Sequence, residues 1–265
     1  MRTLTDAELA ITAASTGAAE VRERYGGRLE RHAKEGTDFA TSADLASEEA
    51  IRAMLAEHRP DDAMVGEEAG RTGPLRASRE WLVDPLCGTR NFAAHTPLVA
   101  VNVALHSSGA AGGPGAAASA DPITGEVFWT DGSAAFVRVA GVDSPLRPSS
   151  TSLLVDVDLD HPDGGEAMRL LGHPDLHRDF SPRVSSTTLA LTWLAAGRRA
   201  AYVHEGDLRD NVHFAAPIAI AQAAGCVVTG VHGQPLHTGV GGLLAAADAA
   251  THSRLLELLT RPIAG

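Results

Sequence analysis

Trp81-Leu82-Val83-Asp84-Pro85-Leu86-Cys87-Gly88-Thr89-Arg90-Asn91-Phe92 decides how the chain is read. An apolar run leads into an acidic turn and then into Gly88-Thr89, which opens a helix. This order predicts a buried strand that delivers Asp84 to a cleft. A carboxylate at a strand end is a hard oxygen ligand for an ion such as magnesium. Free N–H groups at a helix start attract an anion, and a glycine there lets a phosphate approach closely. Glu67 follows the apolar run Ala63-Met64-Val65 in the same manner. Either acid alone reads equally well as an exposed turn residue; their joint placement favours a site.

The flanking pattern mixes helices with strands. Residues 4–34 carry apolar positions at helical spacing behind Thr5-Asp6 as a cap, and Ala43 to His58 forms a second helix that stops before Pro60. Val99 to Leu105 reads as a strand, and Ser107 to Ala120 as a glycine- and alanine-rich loop or hairpin. Glu126 to Trp129 and Ala135 to Val139 fit an antiparallel pair around Asp131-Gly132. Beyond Leu153 strands and helices alternate: helices at Ser186 to Ala196, Ala215 to Ala224 and Ser253 to Leu259, strands at Ala200 to Val203, Val227-Val228 and Leu243-Leu244. The expectation is a layered α/β arrangement. It has an N-terminal α+β lobe over 1–150 and a C-terminal α/β lobe over 151–265, packed as one compact unit.

With 265 residues, 44% of them hydrophobic, the chain is long and apolar enough to bury such a core. Its net charge of −11 is dispersed without a basic run, which argues against nucleic acid and against an anionic membrane surface. No apolar run is long enough to span a bilayer, no signal-peptide pattern follows Met1, and Cys87 and Cys226 make no disulfide framework. A cytoplasmic protein is expected. Lys34 is the only lysine among 22 lysines and arginines, which reads as the base composition of a GC-rich genome.

The stretch from Asp84 to Phe92 resembles the Asp-Pro-hydrophobic-Asp-Gly-Thr-x-Asn-Phe signature of the inositol monophosphatase family of magnesium-dependent sugar and nucleotide phosphatases. The resemblance implies the family's layered α/β/α/β sandwich and a homodimer. It also implies metal-ligand positions at Glu67 of Gly66-Glu67-Glu68, at Asp84 and at the carbonyl of Leu86. Gly88 and Thr89 would cradle the substrate's anion. Thr89 would orient the attacking water together with Asp44 of Ala40-Thr41-Ser42-Ala43-Asp44, and Asp44 can serve as a helix cap at the same time. Lys34 and Asp38 fall where the family has a lysine and an aspartate in a loop. Glu205, in Tyr202-Val203-His204-Glu205-Gly206, matches an acid that contacts substrate hydroxyls. Further likeness lies in Asp121-Pro122 to Glu126, in Ser185 to Leu189 and in Gly233-Gln234-Pro235, so nearly the whole chain is covered.

Two positions depart from the pattern. Cys87 stands where the family has its second metal-binding aspartate. Val212-His213-Phe214-Ala215-Ala216, followed by Ala223-Ala224-Gly225-Cys226, stands for Trp-Asp-x-Ala-Ala and Glu-Ala-Gly-Gly, so a third ligand aspartate becomes His213. The loop after Glu205 is also longer by one residue, which leaves Asp207 or Asp210 as candidate substitute carboxylates. Thiol and imidazole suit zinc better than magnesium. The expectation is no bound metal. The alternatives left open are zinc on Cys87, His213, Asp84 and Glu67, or residual magnesium.

Three functions stay open. One is an enzyme that binds a small phosphate or sulfate ester and expels the anion by metal-independent, non-hydrolytic cyclisation in a biosynthetic pathway. Here Asp44, Glu67 or His213 moves the proton. A second is an ordinary magnesium-dependent phosphomonoesterase with a weakened metal site. The third is a non-catalytic scaffold that supports a partner enzyme.

Overall fold

A computed structural model describes residues 3–34, 36, 38–107, 115–160, 165–239 and 241–261. Two compact units divide the chain, Met1–Pro145 with Val212–Ile220, and Leu146–Asn211 with Ala221–Gly265. The segment that carries His213 thus clusters with the first unit.

In the first unit, helix α1 (Asp6–Arg24) opens on a capping box of Thr5 and Glu8. It ends ten residues short of the helical spacing read to Lys34, because Tyr25 is extended and Gly26 adopts φ 75°. The chain then forms the hairpin β1 (Arg31–Ala33) and β2 (Phe39–Thr41), with Lys34 N–H donating to the Asp38 carbonyl across its tip. Helix α2 (Ser42–His58) follows at once, its N-terminus held by a second capping box of Thr41 and Asp44.

Both helices cover one face of an eight-stranded sheet, where Leu9, Ile11, Val21 and Ile51 join Trp81, Val101, Val103 and Leu105 in one core. After β3 (Ala63–Gly66), β4 (Gly70–Thr72) and β5 (Arg79–Cys87) comes the short helix α3 (Thr89–Ala93). Strands β6 (Ala100–Ser107), β7 (Ala117–Ala120), β8 (Val127–Thr130), β9 (Ala135–Val139) and β10 (Val142–Pro145) complete the sheet. Its order is β10-β9-β8-β7-β6-β5-β3-β4; β3 and β5 are parallel and all other neighbours antiparallel. Strand β7 pairs antiparallel with β6, in line with the hairpin alternative read over Ser107 to Ala120; residues 108–114 lie outside the described residues. Its run of Ala117, Ala118, Ser119 and Ala120 lacks the β-branched residues that mark a strand. Small side chains suit it because both faces are covered: Ala118 and Ala120 join the α1 core, while Ala117 packs with Ala104, Ala216 and Ala219 on the other face.

The second unit starts with β11 (Leu154–Val157), α4 (Gly165–Leu171), α5 (Pro174–Asp179), β12 (Ser181–Val184), α6 (Leu189–Ala195) and β13 (Ala201–His204). Helix α7 (Ala215–Ala223) begins in the first unit; β14 (Val227–Thr229), β15 (Leu243–Ala246) and α8 (Ala249–Thr260) end the chain's order. The five strands run β12-β11-β13-β15-β14, with β11 parallel to β12 and β13 and the other pairs antiparallel. Leu170, Leu176, Leu255, Leu258 and Leu259 from the helices bury against Val155, Val203 and Leu244 of that sheet. Helices on mixed sheets make this an α/β sandwich, the fold class the sequence predicts. Among the described residues no helix is long and apolar enough to cross a membrane.

Candidate active site

Strand β5 brings Asp84 to the site with no solvent exposure, and the ladder to β6 shifts register between Asp84 and Cys87. That irregularity bends the strand end. There the Leu86 N–H donates to Asp84 Oδ1 at 3.0 Å. Parallel strand β3 ends beside it and places Glu67, whose N–H donates to the Val83 carbonyl at 3.2 Å.

His213 completes the group from the other end of the sequence. Its Nδ1–H donates to Asp84 Oδ2 at 2.7 Å and lies 3.8 Å from Glu67 Oε2. The backbone of His213 is anchored as well: Asn102 Nδ2, on the alanine-lined face of β6, donates to its carbonyl at 3.1 Å, and Ser119 fixes the Asn102 amide oxygen at 2.7 Å. One ligand-type atom from each of Glu67, Asp84 and His213 lies within 4.8 Å of the others.

Lys34 reaches the same acids from the β1–β2 hairpin. Its Nζ donates to Glu67 Oε1 at 2.9 Å and to Glu68 Oε1 at 2.7 Å. Glu48 of α2, almost fully buried, accepts the N–H groups of Glu68 and Ala69, each at 2.8 Å. Neither contact is visible in the sequence, where Glu48 looks like one more helix-surface acid. The signal for Lys34 is its place at the family's loop lysine.

Asp44 and Thr89 meet as expected. Thr89 Oγ1 lies 3.0 Å from Asp44 Oδ1 and 3.2 Å from the Leu86 carbonyl, so its single proton has two acceptors in reach. The other Asp44 oxygen receives the Thr41 N–H at 2.7 Å and the Thr41 hydroxyl at 2.5 Å. The cap role and the site role therefore coexist; the N-cap itself is Thr41. Gly88 adopts φ 89°, and a Cβ there would lie 2.7 Å from the Leu98 carbonyl, so the turn requires glycine.

The remaining expected residues have surroundings of their own. Cys87 ends β5 half-buried, and the clustered donors are the other three residues of the zinc alternative, Glu67, Asp84 and His213. Glu205 belongs to the second unit, where its carboxylate accepts the Ala167 N–H. Asp207 Oδ1 accepts the Arg209 N–H of its own loop at 3.0 Å. Burial pushes the Cys226 thiol up to about 12, so it stays protonated.

The electrostatics follow from burial and neighbours. Burial disfavours the His213 imidazolium, but Asp84, the hydrogen bond to it and then Glu67 outweigh that and raise the pKa to about 9. The pairing with Asp84 thus favours the protonated imidazole, the acid form of the acid or base expected at His213. Burial and then the Asp84 charge push Glu67 above the usual carboxylate range. Burial raises Asp44 to about 6 against the opposing hydrogen bonds of Thr41 and Thr89. Lys34 is raised above its ordinary value: burial opposes, and the bonds to Glu68 and Glu67 prevail.

These donors do not fit a pair of magnesium ions. Magnesium needs octahedral oxygen ligation. Here Asp84 Oδ2 and Glu67 Oε1 already accept hydrogen bonds from His213 and Lys34, and the Leu86 carbonyl lies within reach of Thr89. His213 Nδ1 is engaged by Asp84 Oδ2.

Glu48's two amide bonds hold the turn that carries Glu67, and Gly66 packs against them. A Cβ on Gly66 would lie 2.5 Å from the Glu48 carboxyl carbon. Gly66→Ala is therefore expected to destabilise the protein by about 1–3 kcal/mol through overpacking. Urea unfolding checks this, and a parent-like midpoint would contradict it.

The inositol monophosphatase family profile matches residues 4–263. An inositol-1-monophosphatase of Caulobacter vibrioides is 30% identical over 234 residues, 85% of this chain and 89% of that protein. Nus factor SuhB of Pasteurella multocida is 29% identical over 251 residues, 90% of each chain. The crystal structure of the extragenic suppressor protein suhB from Bartonella henselae superposes with a TM-score of 0.84 at 26% identity, covering 96% of this chain and 98% of that one.

Proposed function

This chain belongs to the inositol monophosphatase family, and we propose that it expels phosphate or sulfate from a small ester without the family's magnesium pair. The attacking group in this reading is a hydroxyl or amine of the substrate itself. The observation that carries the reading is the His213–Asp84 pair at 2.7 Å, which puts an internal cation where ligand positions of the family would hold metal charge.

The step balances as an intramolecular displacement. The substrate's nitrogen or oxygen forms a bond to the carbon that bears the ester. The carbon–oxygen bond to the ester breaks, and its electron pair leaves with the anion. The nucleophile's proton passes to a carboxylate. Glu67 suits that role, because burial beside Asp84 increases its basicity. Thr89, backed by Asp44, orients the attacking group, while the His213 imidazolium and Lys34 face the departing negative charge. Holding the substrate folded for internal attack can supply roughly 7–11 kcal/mol of the barrier. The product is a cyclic metabolite plus free phosphate or sulfate. The reading extends to a homodimer in the cytoplasm, with the ester as its ligand.

Turnover of candidate phosphate and sulfate esters in ¹⁸O-labelled water tests the reaction. The expected products are a cyclised metabolite and an anion free of label, formed equally well in a chelator. Label in the released phosphate, with a requirement for magnesium, would establish ordinary hydrolysis. No turnover of any ester by the folded protein would favour the scaffold.

A further inference from the structure

We propose that Asn102 is a positioning residue of this site: with Ser119 behind it, it holds the backbone of His213 while Asp84 holds the ring. The inference rests on the reaction proposed above, in which His213 faces the departing anion. Three neighbouring strands carry the device. Asp84 of β5 stands opposite Asn102 of β6, and Asn102 stands opposite Ser119 of β7. Opposite residues of a ladder share a face, so these side chains form one polar row across the sheet. All three are fully buried. Buried polar groups are costly unless they are bonded. Here the Ser119 hydroxyl donates to Asn102 Oδ1 at 2.7 Å, which turns the amide nitrogen toward the His213 carbonyl, 3.1 Å away. Adjacent members of the row thus grip the two ends of one residue, because Asp84 Oδ2 takes His213 Nδ1 at 2.7 Å.

The sequence around His213 makes its carbonyl depend on that grip. An α-helix bonds each carbonyl to the N–H four residues on. Four residues after His213 stands Pro217, which has no N–H to give. Helix α7 accordingly takes its first such bond one residue later, from the Ile218 N–H to the Phe214 carbonyl at 3.0 Å. Proline is tolerated in a first helical turn, and there it reserves the His213 carbonyl for the Asn102 amide. Small side chains let the helix approach: Ala216 and Ala219 of α7 pack on Ala104 and Ala117, on the face of the polar row. The grip acts on the main chain, so it holds for either protonation state of the ring.

Crystal structures and kinetics of Asn102→Ala, Ser119→Ala and the double variant Asn102→Ala/Pro217→Ala test this. In Asn102→Ala the His213–Asp84 pair should open from 2.7 Å to beyond about 3.5 Å. With it kcat should fall by up to about 100-fold at nearly constant KM, the effect of misplacing a reacting group by about 1 Å. Ser119→Ala frees the amide to turn over and should give the same changes at smaller amplitude, so it carries the test should Asn102→Ala not fold. In the double variant residue 217 regains an N–H for the His213 carbonyl, and the pair should close again. A merely structural asparagine would lower Tm and leave both the pair and kcat unmoved. A pair that stays closed in the single variants would overturn the proposal, as would one that stays open in the double variant. The distance judges the grip without any substrate, so a parent that turns over no ester would count against the proposed reaction alone.

Discussion

Asp84→Ala should destabilise the protein by about 2–4 kcal/mol, while Glu67→Gln should leave stability unchanged or raise it. The contrast in sign is the informative part. Acids gathered to bind metal repel one another when no metal is bound, so neutralising any of them stabilises the metal-free protein. Asp84 does not stand in that relation to its neighbours. It is fully buried, and its two oxygens take the Leu86 N–H at 3.0 Å and the His213 imidazolium at 2.7 Å. Truncation leaves the amide without its acceptor and the imidazolium without its partner. Glu67 differs, because burial and the nearby Asp84 charge penalise its charged form. Glutamine keeps the shape and an acceptor for Lys34 and removes the repulsion. Urea unfolding of both variants in a chelator decides the matter. An Asp84→Ala protein as stable as the parent would show that Asp84 is a metal ligand held in reserve.

This division of roles was only partly legible in the sequence. Asp84 and Glu67 could be placed because each follows an apolar run, and a strand end is a local property. The Asp44–Thr89 contact came from resemblance, across 45 residues, and is realised at 3.0 Å. The resemblance put Lys34 and His213 at family positions, but their contacts with the acids depend on tertiary placement. Lys34 lies 33 residues before Glu67, and its reach is set by a hairpin that the helical spacing of residues 4–34 concealed. His213 lies 129 residues after Asp84, and its backbone is positioned by Asn102, an unremarkable polar residue within a strand. Cys87 could be read from its type either as a metal donor or as an inert residue, and the clustered donors are Glu67, Asp84 and His213.

The His213 imidazole should titrate near pH 9 in the parent, and near its ordinary value of 6.5 in Asp84→Asn. That is a change in proton affinity of more than about 100-fold. The Asn side chain still accepts one hydrogen bond, so the variant isolates the charge of Asp84 from its shape. Proton NMR of the imidazole resonances, assigned by comparison with His213→Gln, gives both midpoints. The same shift fixes how stability depends on pH. Folding raises the pKa, so the folded state holds the proton more tightly than the unfolded chain. The stabilisation from His213 is then complete below 6.5 and is lost as pH rises through about 9. The imidazole is 38% exposed, so solvent screening reduces its contribution to about 1–2 kcal/mol. Glu67 is shifted in the same direction from its own lower starting value, and its loss precedes that of His213 on the alkaline side. Glu67→Gln should therefore abolish the earlier part of the decline and leave the later part. A parent imidazole that titrates near 6.5 would mean that Asp84 does not hold it as a cation. In that event His213 returns to the role of a neutral-pH base, and the internal counter-ion account of the site is lost with it.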